Sequence, residues 1–391
     1  MKKIPLVDLV TFGRFHLFNL ATQLDKHNVL NRLIISHPFS KIDGLKTIPR
    51  NKIDTNNLEY LRRLLYLLGD KKNNFLFSMD TLNRLFGRSA SKKLGKDSNI
   101  VIVLSDSGLE TLKKAKEAGK ITILERGSSH ILFAEKMLKE ESKLVGKKFT
   151  KFTKKHIERS LKEYELTDYI AIPSSFVKRS FIEYGIPKEK LLINPYGVDL
   201  SEFKQVKKED NIFRIIFAGA GNLRKGYHYL LQAFFELDLP NCELWHIGSI
   251  HDEMKPFLDK YKTDKWILKG HKPQSELYRY YSQGNIFVLP SLEEGFAMVQ
   301  FQAMACGLPL VCTTNTGGED LITKNGEEGF VIPIRDVEAI KEKILFLYNN
   351  QDMAKEIGQK AKKKIENGFS WNDYGNRYLA HLETIINNEN K

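Results

Sequence analysis

Short apolar runs alternate with amphipathic stretches along most of this chain. In the first half, Ile4–Val10, Arg32–Ser36, Ile100–Leu104, Ile121–Leu124, Asp168–Pro173 and Leu191–Asn194 are apolar or β-favouring and read as strands. Between them, Leu17–Asp25, Gly108–Ala118, the stretch from His130 to about Val145, Lys154–Tyr164 and Ser174–Tyr184 carry helical spacing, and Gly185 stops the last of these. Residues 41–97 are less regular. The same alternation resumes with strands at Phe213–Ala218, Leu244–Ile247, Trp266–Leu268, Asn285–Leu289, Leu310–Thr313 and Gly329–Pro333. Helices are expected over Tyr227–Leu237, Met254–Tyr261, Ser275–Ser282 and Ala297–Cys306, with more toward the end of the chain. Strand and helix in strict turn predict an α/β protein with parallel, doubly wound sheets. The charged run Lys204–Asp210 is the expected linker between the two series.

Length agrees with that division, since 391 residues exceed what one hydrophobic core usually organises and suggest two or three domains. Charge adds an asymmetry. Of the net +13, residues 1–200 carry +15 (37 Lys and Arg against 22 Asp and Glu) and the remainder −2. A nucleic acid, an anionic membrane or a phosphorylated substrate would each suit the basic half. The amphipathic stretch Leu58–Leu68, with Arg62 and Arg63, and Lys71 and Lys72 beyond it, concentrates this charge; it fits either a solvated face or a surface against lipid. A nucleic-acid role is not expected, because no aromatic stacking motif or reader module accompanies the charge. Cys242, Cys306 and Cys312 sit in apolar segments without metal-ligand spacing and read as reduced core thiols. No run of about 18 apolar residues and no signal-peptide core occurs, so a cytoplasmic protein is expected, with peripheral contact to the inner face of a membrane through the basic half.

The most informative stretch is residues 289–309. Pro290 and Ser291 end a strand, Glu293-Glu294-Gly295-Phe296 forms a turn, and an apolar helix follows to Cys306. A helix starting after Gly295 presents free backbone N–H groups and a partial positive charge at the strand ends, a ready site for phosphate, with Glu294 at its mouth. Gln300 and Gln302 are two residues apart, so at most one can share a cleft with Glu294. Upstream, Gly219-Ala220-Gly221-Asn222-Leu223-Arg224-Lys225-Gly226 joins a strand to a helix. It matches neither the dinucleotide fingerprint nor a P-loop, yet its glycines admit phosphate close to the backbone.

Glu294-Gly295-Phe296, followed by Gln302 and Ala303-Met304-Ala305-Cys306-Gly307-Leu308-Pro309, resembles the signature of the retaining glycosyltransferases of family four, whose fold is GT-B. Two departures stand out. The family's second Glu is Gln302 here, and the Arg of its Gly-Arg-x-x-x-x-Lys-Gly segment is Ala220, whereas its Lys is Lys225. Arg224 is the expected replacement for the missing Arg. The resemblance extends to Asn194-Pro195-Tyr196-Gly197-Val198-Asp199 and to Phe369-Ser370-Trp371, the start of a last helix that crosses back to the first domain. It implies two Rossmann-like domains facing a cleft: 1–205 on the acceptor side, 206–368 binding the nucleotide-sugar, and 369–391 returning.

For the site, the resemblance implies donor contacts from Gly13, Arg224, Lys225, Gly270, His271, Glu294, Gly295, Phe296, Ala297, Met298 and Gln302. Glu294, His130, Lys225 and Arg224 are the expected catalytic groups, with His130 approaching the transferred sugar. On the residues alone, Gly13 equally fits a plain turn and His130 a helix cap. The implied reaction moves a hexose or aminohexose from a UDP- or GDP-sugar to a glycan or lipid-linked acceptor, with retention. No two Asp residues lie two apart and no His or Cys ligand cluster exists, so fixed cations and helix ends rather than a metal are expected to hold the departing phosphate, and no cofactor is expected. The alternatives are a same-fold nucleotide-sugar epimerase or phosphorylase, and a non-catalytic nucleotide-sugar-binding protein.

Overall fold

A computed structural model describes residues 4–38, 45, 47–61, 79–149, 152–261 and 263–389. The apolar runs become two all-parallel sheets. The first has the order β3-β2-β1-β4-β5-β6-β7, from β1 (Val7–Thr11), β2 (Leu30–Ile35), β3 (Ile53–Thr55), β4 (Ile100–Leu104), β5 (Ile121–Glu125), β6 (Tyr169–Ile172) and β7 (Leu191–Ile193). The second has the order β10-β9-β8-β11-β12-β13, from β8 (Phe213–Ala218), β9 (Cys242–Ile247), β10 (Trp266–Gly270), β11 (Ile286–Leu289), β12 (Leu310–Thr313) and β13 (Gly329–Ile332). Helices cover both faces, so every residue of β1, β8, β11 and β12 is buried. That double cover is why those strands read as continuous apolar runs rather than as alternating ones.

In each sheet the strand order reverses beside the first strand, between β1 and β4 and between β8 and β11. Parallel strands part at such a point, and a crevice opens at their carboxyl ends. The two crevices face each other. The final helix Trp371–Glu389 leaves the second sheet and packs on the helix Leu17–Lys26, where Lys26 Nζ donates to Asn372 Oδ1 at 2.9 Å. Arg377 Nη2 donates to Pro195 O at 2.8 Å, which fastens the same helix to the end of the first sheet.

Contacts also run directly between the halves. Glu141 of the helix Ile131–Leu144 is buried and meets three partners from the second half: His228 Nε2 at 2.7 Å, Tyr229 OH at 2.8 Å and Arg335 Nε at 2.8 Å. Ser175 N donates to Asp320 Oδ2 at 2.7 Å, and Arg179 pairs with Glu319 beside it.

Two elements fall in the segment without clear periodicity. β3 is three residues long with only Ile53 buried, too short to show a period. The helix Met79–Ser91 is the other. Arg62, Arg63, Lys71 and Lys72 lie outside the described residues. Cys242, Cys306 and Cys312 are buried free thiols.

Candidate active site

Two loops of the second half build one wall of the cleft. β11 ends at Leu289, residues 290–297 turn, and the helix Met298–Ala305 begins without a side-chain cap on its first N–H groups. Against this turn lies the loop after β8. Asn222 Oδ1 accepts from Lys225 N at 2.9 Å, and Leu292 N donates to Arg224 O at 2.8 Å, clipping the loops together. Gly226 adopts a left-handed φ of 61°, and a Cβ there would meet Pro290 O, so the loops approach this closely only because the residue is glycine.

The clipped loops bring three charges to one point. Arg224 Nη1 and Lys225 Nζ each lie 2.6 Å from Glu294 Oε1, and Arg224 Nη1 also donates to Glu293 O at 2.8 Å. Burial works against the Glu294 carboxylate, but Arg224 and Lys225 outweigh it and hold its pKa below the usual value. Burial, with repulsion from Arg224, lowers the Lys225 pKa even though Glu294 opposes the shift. Two cations thus meet the Glu294 carboxylate beside a helix N-terminus, with the Glu293 carboxylate 3.7 Å from Arg224 Nη1, and an anion that displaces Glu294 finds both cations and the helix start in place.

The opposite wall comes from the carboxyl ends of β1, β4 and β5. Gly13 follows β1, and its carbonyl accepts from Thr11 Oγ1 at 2.7 Å. His16 Nε2 lies 2.8 Å from Glu125 Oε2 at the end of β5. Arg126, next in the chain, reaches Asp106 beyond β4 at 3.3 Å. The walls enclose a cleft of about 1000 Å³. They touch where Ser129 N and Oγ donate to Glu293 Oε1 at 3.1 and 2.8 Å, and where Ser174 Oγ donates to Gly295 O at 2.6 Å. A Cβ on Gly295 would lie 1.7 Å from Gly127 O, so this glycine is what lets the two walls meet.

The comparisons with known proteins bear on the second wall. Residues 199–364 match the model of the family "Glycosyl transferases group 1". The match spans the second sheet and the helices around it. Among curated relatives, the capsular polysaccharide biosynthesis glycosyltransferase CapM of Staphylococcus aureus is 30% identical over 241 residues, which is 56% of this chain and 62% of CapM. The amylovoran biosynthesis glycosyltransferase AmsK of Erwinia amylovora is 28% identical over 270 residues, 63% of this chain and 64% of AmsK. The chain therefore spans less than two thirds of these relatives' length. Among solved structures, a sucrose-phosphate synthase of Thermosynechococcus elongatus superposes with a TM-score of 0.71 at 15% identity, covering 99% of this chain and 100% of that one. HepE of Anabaena, solved in complex with UDP and glucose, gives 0.68 at 12% identity, covering 97% and 100%. The fold is GT-B, with the group 1 segment forming its second sheet.

Within the group 1 segment, Arg224, Lys225, Glu294, Gly295, Phe296, Ala297, Met298 and Gln302 all line the cleft, as Gly13 does from the other half. Of the two glutamines only Gln302 does so, with its Oε1 accepting from Tyr281 OH at 3.1 Å. Gln300 points away and donates to Thr316 O at 3.0 Å.

Three expected contacts are not brought there. Gly270 ends the edge strand β10 and His271 follows it; both are exposed and neither lines the cleft. His130 is 2% exposed and caps the helix Ile131–Leu144, with Nδ1 accepting from Leu132 N at 3.3 Å. Its ring stacks on Tyr184 at 4.7 Å and meets Phe181 edge-on, facing the core rather than the cleft. Burial, reinforced by nearby Arg126, lowers its pKa to about 4. The sequence reasoning missed Glu293, His16, Asp106, Arg126 and His156. Asp106 and Arg126 follow apolar strand runs, which was a usable signal for crevice residues. His156 sits within a helix, where no local pattern marks it.

Proposed function

We propose that this protein transfers a hexose or aminohexose from a UDP- or GDP-sugar to a glycan or lipid-linked acceptor, with retention of anomeric configuration and without a required metal ion. The observation that carries this reading is the convergence of Arg224, Lys225 and Glu294 at an uncapped helix start inside the cleft. As the bond from the anomeric carbon to the phosphate oxygen breaks, charge develops on the departing nucleoside diphosphate. Arg224, Lys225 and the N–H groups from Gly295 to Met298 are fixed in advance where that charge appears. Arg224 supplies the cation that the family resemblance places at Ala220.

The incoming diphosphate takes over the two cations, and the released Glu294 carboxylate then accepts hydrogen bonds from the donor sugar. Gln302 meets the ribose. The acceptor hydroxyl oxygen bonds to the anomeric carbon, and its proton passes to the leaving phosphate. Among the described residues no group of three or more His, Cys, Asp or Glu is placed to hold a metal. The names of CapM and AmsK, and the UDP and glucose in HepE, support a nucleotide-sugar donor and a polysaccharide pathway. None of the helices of described residues is long and apolar enough to cross a membrane. Contact with an anionic membrane through the basic half completes the proposal.

The test is release of UDP or GDP from a panel of UDP- and GDP-sugars, with and without EDTA. Release that persists in EDTA is expected. Binding without release would favour a non-catalytic protein, an altered sugar still attached to nucleotide an epimerase, and release that vanishes in EDTA and returns with Mn²⁺ would overturn metal independence.

A further inference from the structure

Beyond the donor cluster, the cleft runs along the first half to Asp106, His156 and Phe152. Asp106 follows β4 in a left-handed conformation, φ 70°, which costs about 1 kcal/mol or more in a non-glycine residue and persists only when its surroundings enforce it. They do so from every side. Its N–H donates to Glu163 Oε2 at 2.7 Å, and its carbonyl accepts from Arg159 Nε at 2.8 Å. Its carboxylate Oδ1 meets Ser160 Oγ at 2.9 Å, His156 Nε2 at 3.2 Å and Arg126 Nη1 at 3.3 Å.

Oδ2 is different. Among the described residues its one recorded partner is Arg126 Nη1, at 3.5 Å. The side chain remains 34% exposed whereas Arg126 behind it is 5% exposed, so capacity to accept hydrogen bonds is turned toward the cleft. Burial raises the Asp106 pKa, but Arg126 and His156 outweigh it and keep the group ionised at neutral pH, so it is an acceptor of hydrogen bonds rather than of protons. Phe152 packs at right angles to His156, the partner of Asp106, with ring centroids 5.5 Å apart, and lines the cleft with both of them. A fixed carboxylate beside an aromatic face suits a pyranose, which offers adjacent hydroxyls on its rim and C–H groups on its flat side.

We propose that Asp106, held by Arg126 and His156 and flanked by Phe152, binds the acceptor as a neutral sugar, taking hydrogen bonds from two of its adjacent hydroxyl groups. The assignment rests on the glycosyl-transfer reading and makes Asp106 a binding residue for the acceptor, not for the donor.

The test uses saturation-transfer NMR on the full chain with methyl pyranosides of glucose, galactose, mannose and N-acetylglucosamine, in the presence of UDP. At least one glycoside should bind the wild-type protein, and Asp106→Asn should weaken it at least about tenfold while the Kd for UDP stays within about twofold. Phe152→Ala should weaken the same glycoside without moving UDP, which covers the case in which Asp106→Asn fails to fold. No glycoside binding to wild type, or equal binding by both variants, would overturn the proposal. Where UDP does not bind, GDP takes its place; failure of both to bind would instead count against the donor reading, and the glycosides would then be compared without nucleotide.

Discussion

The two walls of the cleft use the same side chains, Arg, Glu or Asp, and a nitrogen base, in opposite ways. In the second half, Arg224, Lys225 and Glu294 are paired at the cleft surface, with the Glu293 carboxylate 3.7 Å from Arg224 Nη1, and all four side chains come from two adjoining loops. In the first half, Asp106, Arg126, His156, Arg159, Glu110 and Glu163 are paired inward, and Glu163 is wholly buried while accepting from the N–H groups of Asp106, Gly108 and Leu109. A cluster whose carboxylate can be displaced from two cations beside a helix start is poised for an anionic ligand. One whose charges close on each other fixes a surface. Damage to the second wall should therefore remove activity and spare the fold, and damage behind the first should do the reverse.

The sharpest division is expected at Arg224. Arg224→Ala should lower kcat by roughly 10²–10³, the range for losing one preorganised donor, with the thermal midpoint nearly unchanged. Arg224→Lys should recover only part, because an ammonium lacks the guanidinium fork. A kcat within about threefold of wild type would place the compensating charge elsewhere, at Arg14 or the helix start after Gly295.

Next in size is the pH dependence set by His130. Its pKa is near 4 in the fold and near 6.5 in the unfolded chain, so the unfolded state takes up the proton first. The stabilisation is complete above pH 6.5 and is lost as pH falls through 4, in all about 3 kcal/mol. In urea titrations at pH 7 and pH 4, His130→Asn should lose that much less than wild type. An unchanged pH difference would show that His130 is not held neutral. Turnover at pH 7 should change little, because the ring faces the core.

A smaller effect belongs to the tie between the halves. Glu141→Gln weakens its contacts with Arg335, His228 and Tyr229 and should cost about 2 kcal/mol in denaturant unfolding. Loss of activity at unchanged stability would instead make this contact part of cleft closure.

How much was legible in the sequence follows the same contrast. The second wall is written in two continuous segments, Gly219–Gly226 and Leu289–Pro309, so adjacency in sequence became adjacency in space. Lys225 was recognised from the family's segment and Arg224 from its place beside Lys225 in the same loop, and both converge on Glu294. The first wall is assembled from residues far apart in the chain, 57 positions in the Asp106–Glu163 bond and 109 in the His16–Glu125 contact, and no local spacing announces it. His130 looked like a cleft residue because it stands at a strand-to-helix junction, yet the same position suits a cap, and burial among Tyr164, Phe181 and Tyr184 decided between the two. Gly270 and His271 were placed by resemblance at the turn after the strand that became β10, which is an edge strand, and neither residue lines the cleft. The alternation of strands and helices survived nearly intact, because parallel strands buried on both faces leave apolar runs that need no tertiary context to be seen.

The central claim is that Arg224 and Lys225 hold the donor diphosphate while Glu294 serves the sugar. It is tested most directly by measuring kcat and the Kd for UDP and GDP in Glu294→Gln. With the carboxylate gone, both cations are left for the diphosphate, so the nucleotide that wild type binds should bind as tightly or more tightly, while kcat falls by about 10² or more. Undiminished turnover, or a loss of nucleotide affinity equal to the loss of kcat, would contradict the assignment.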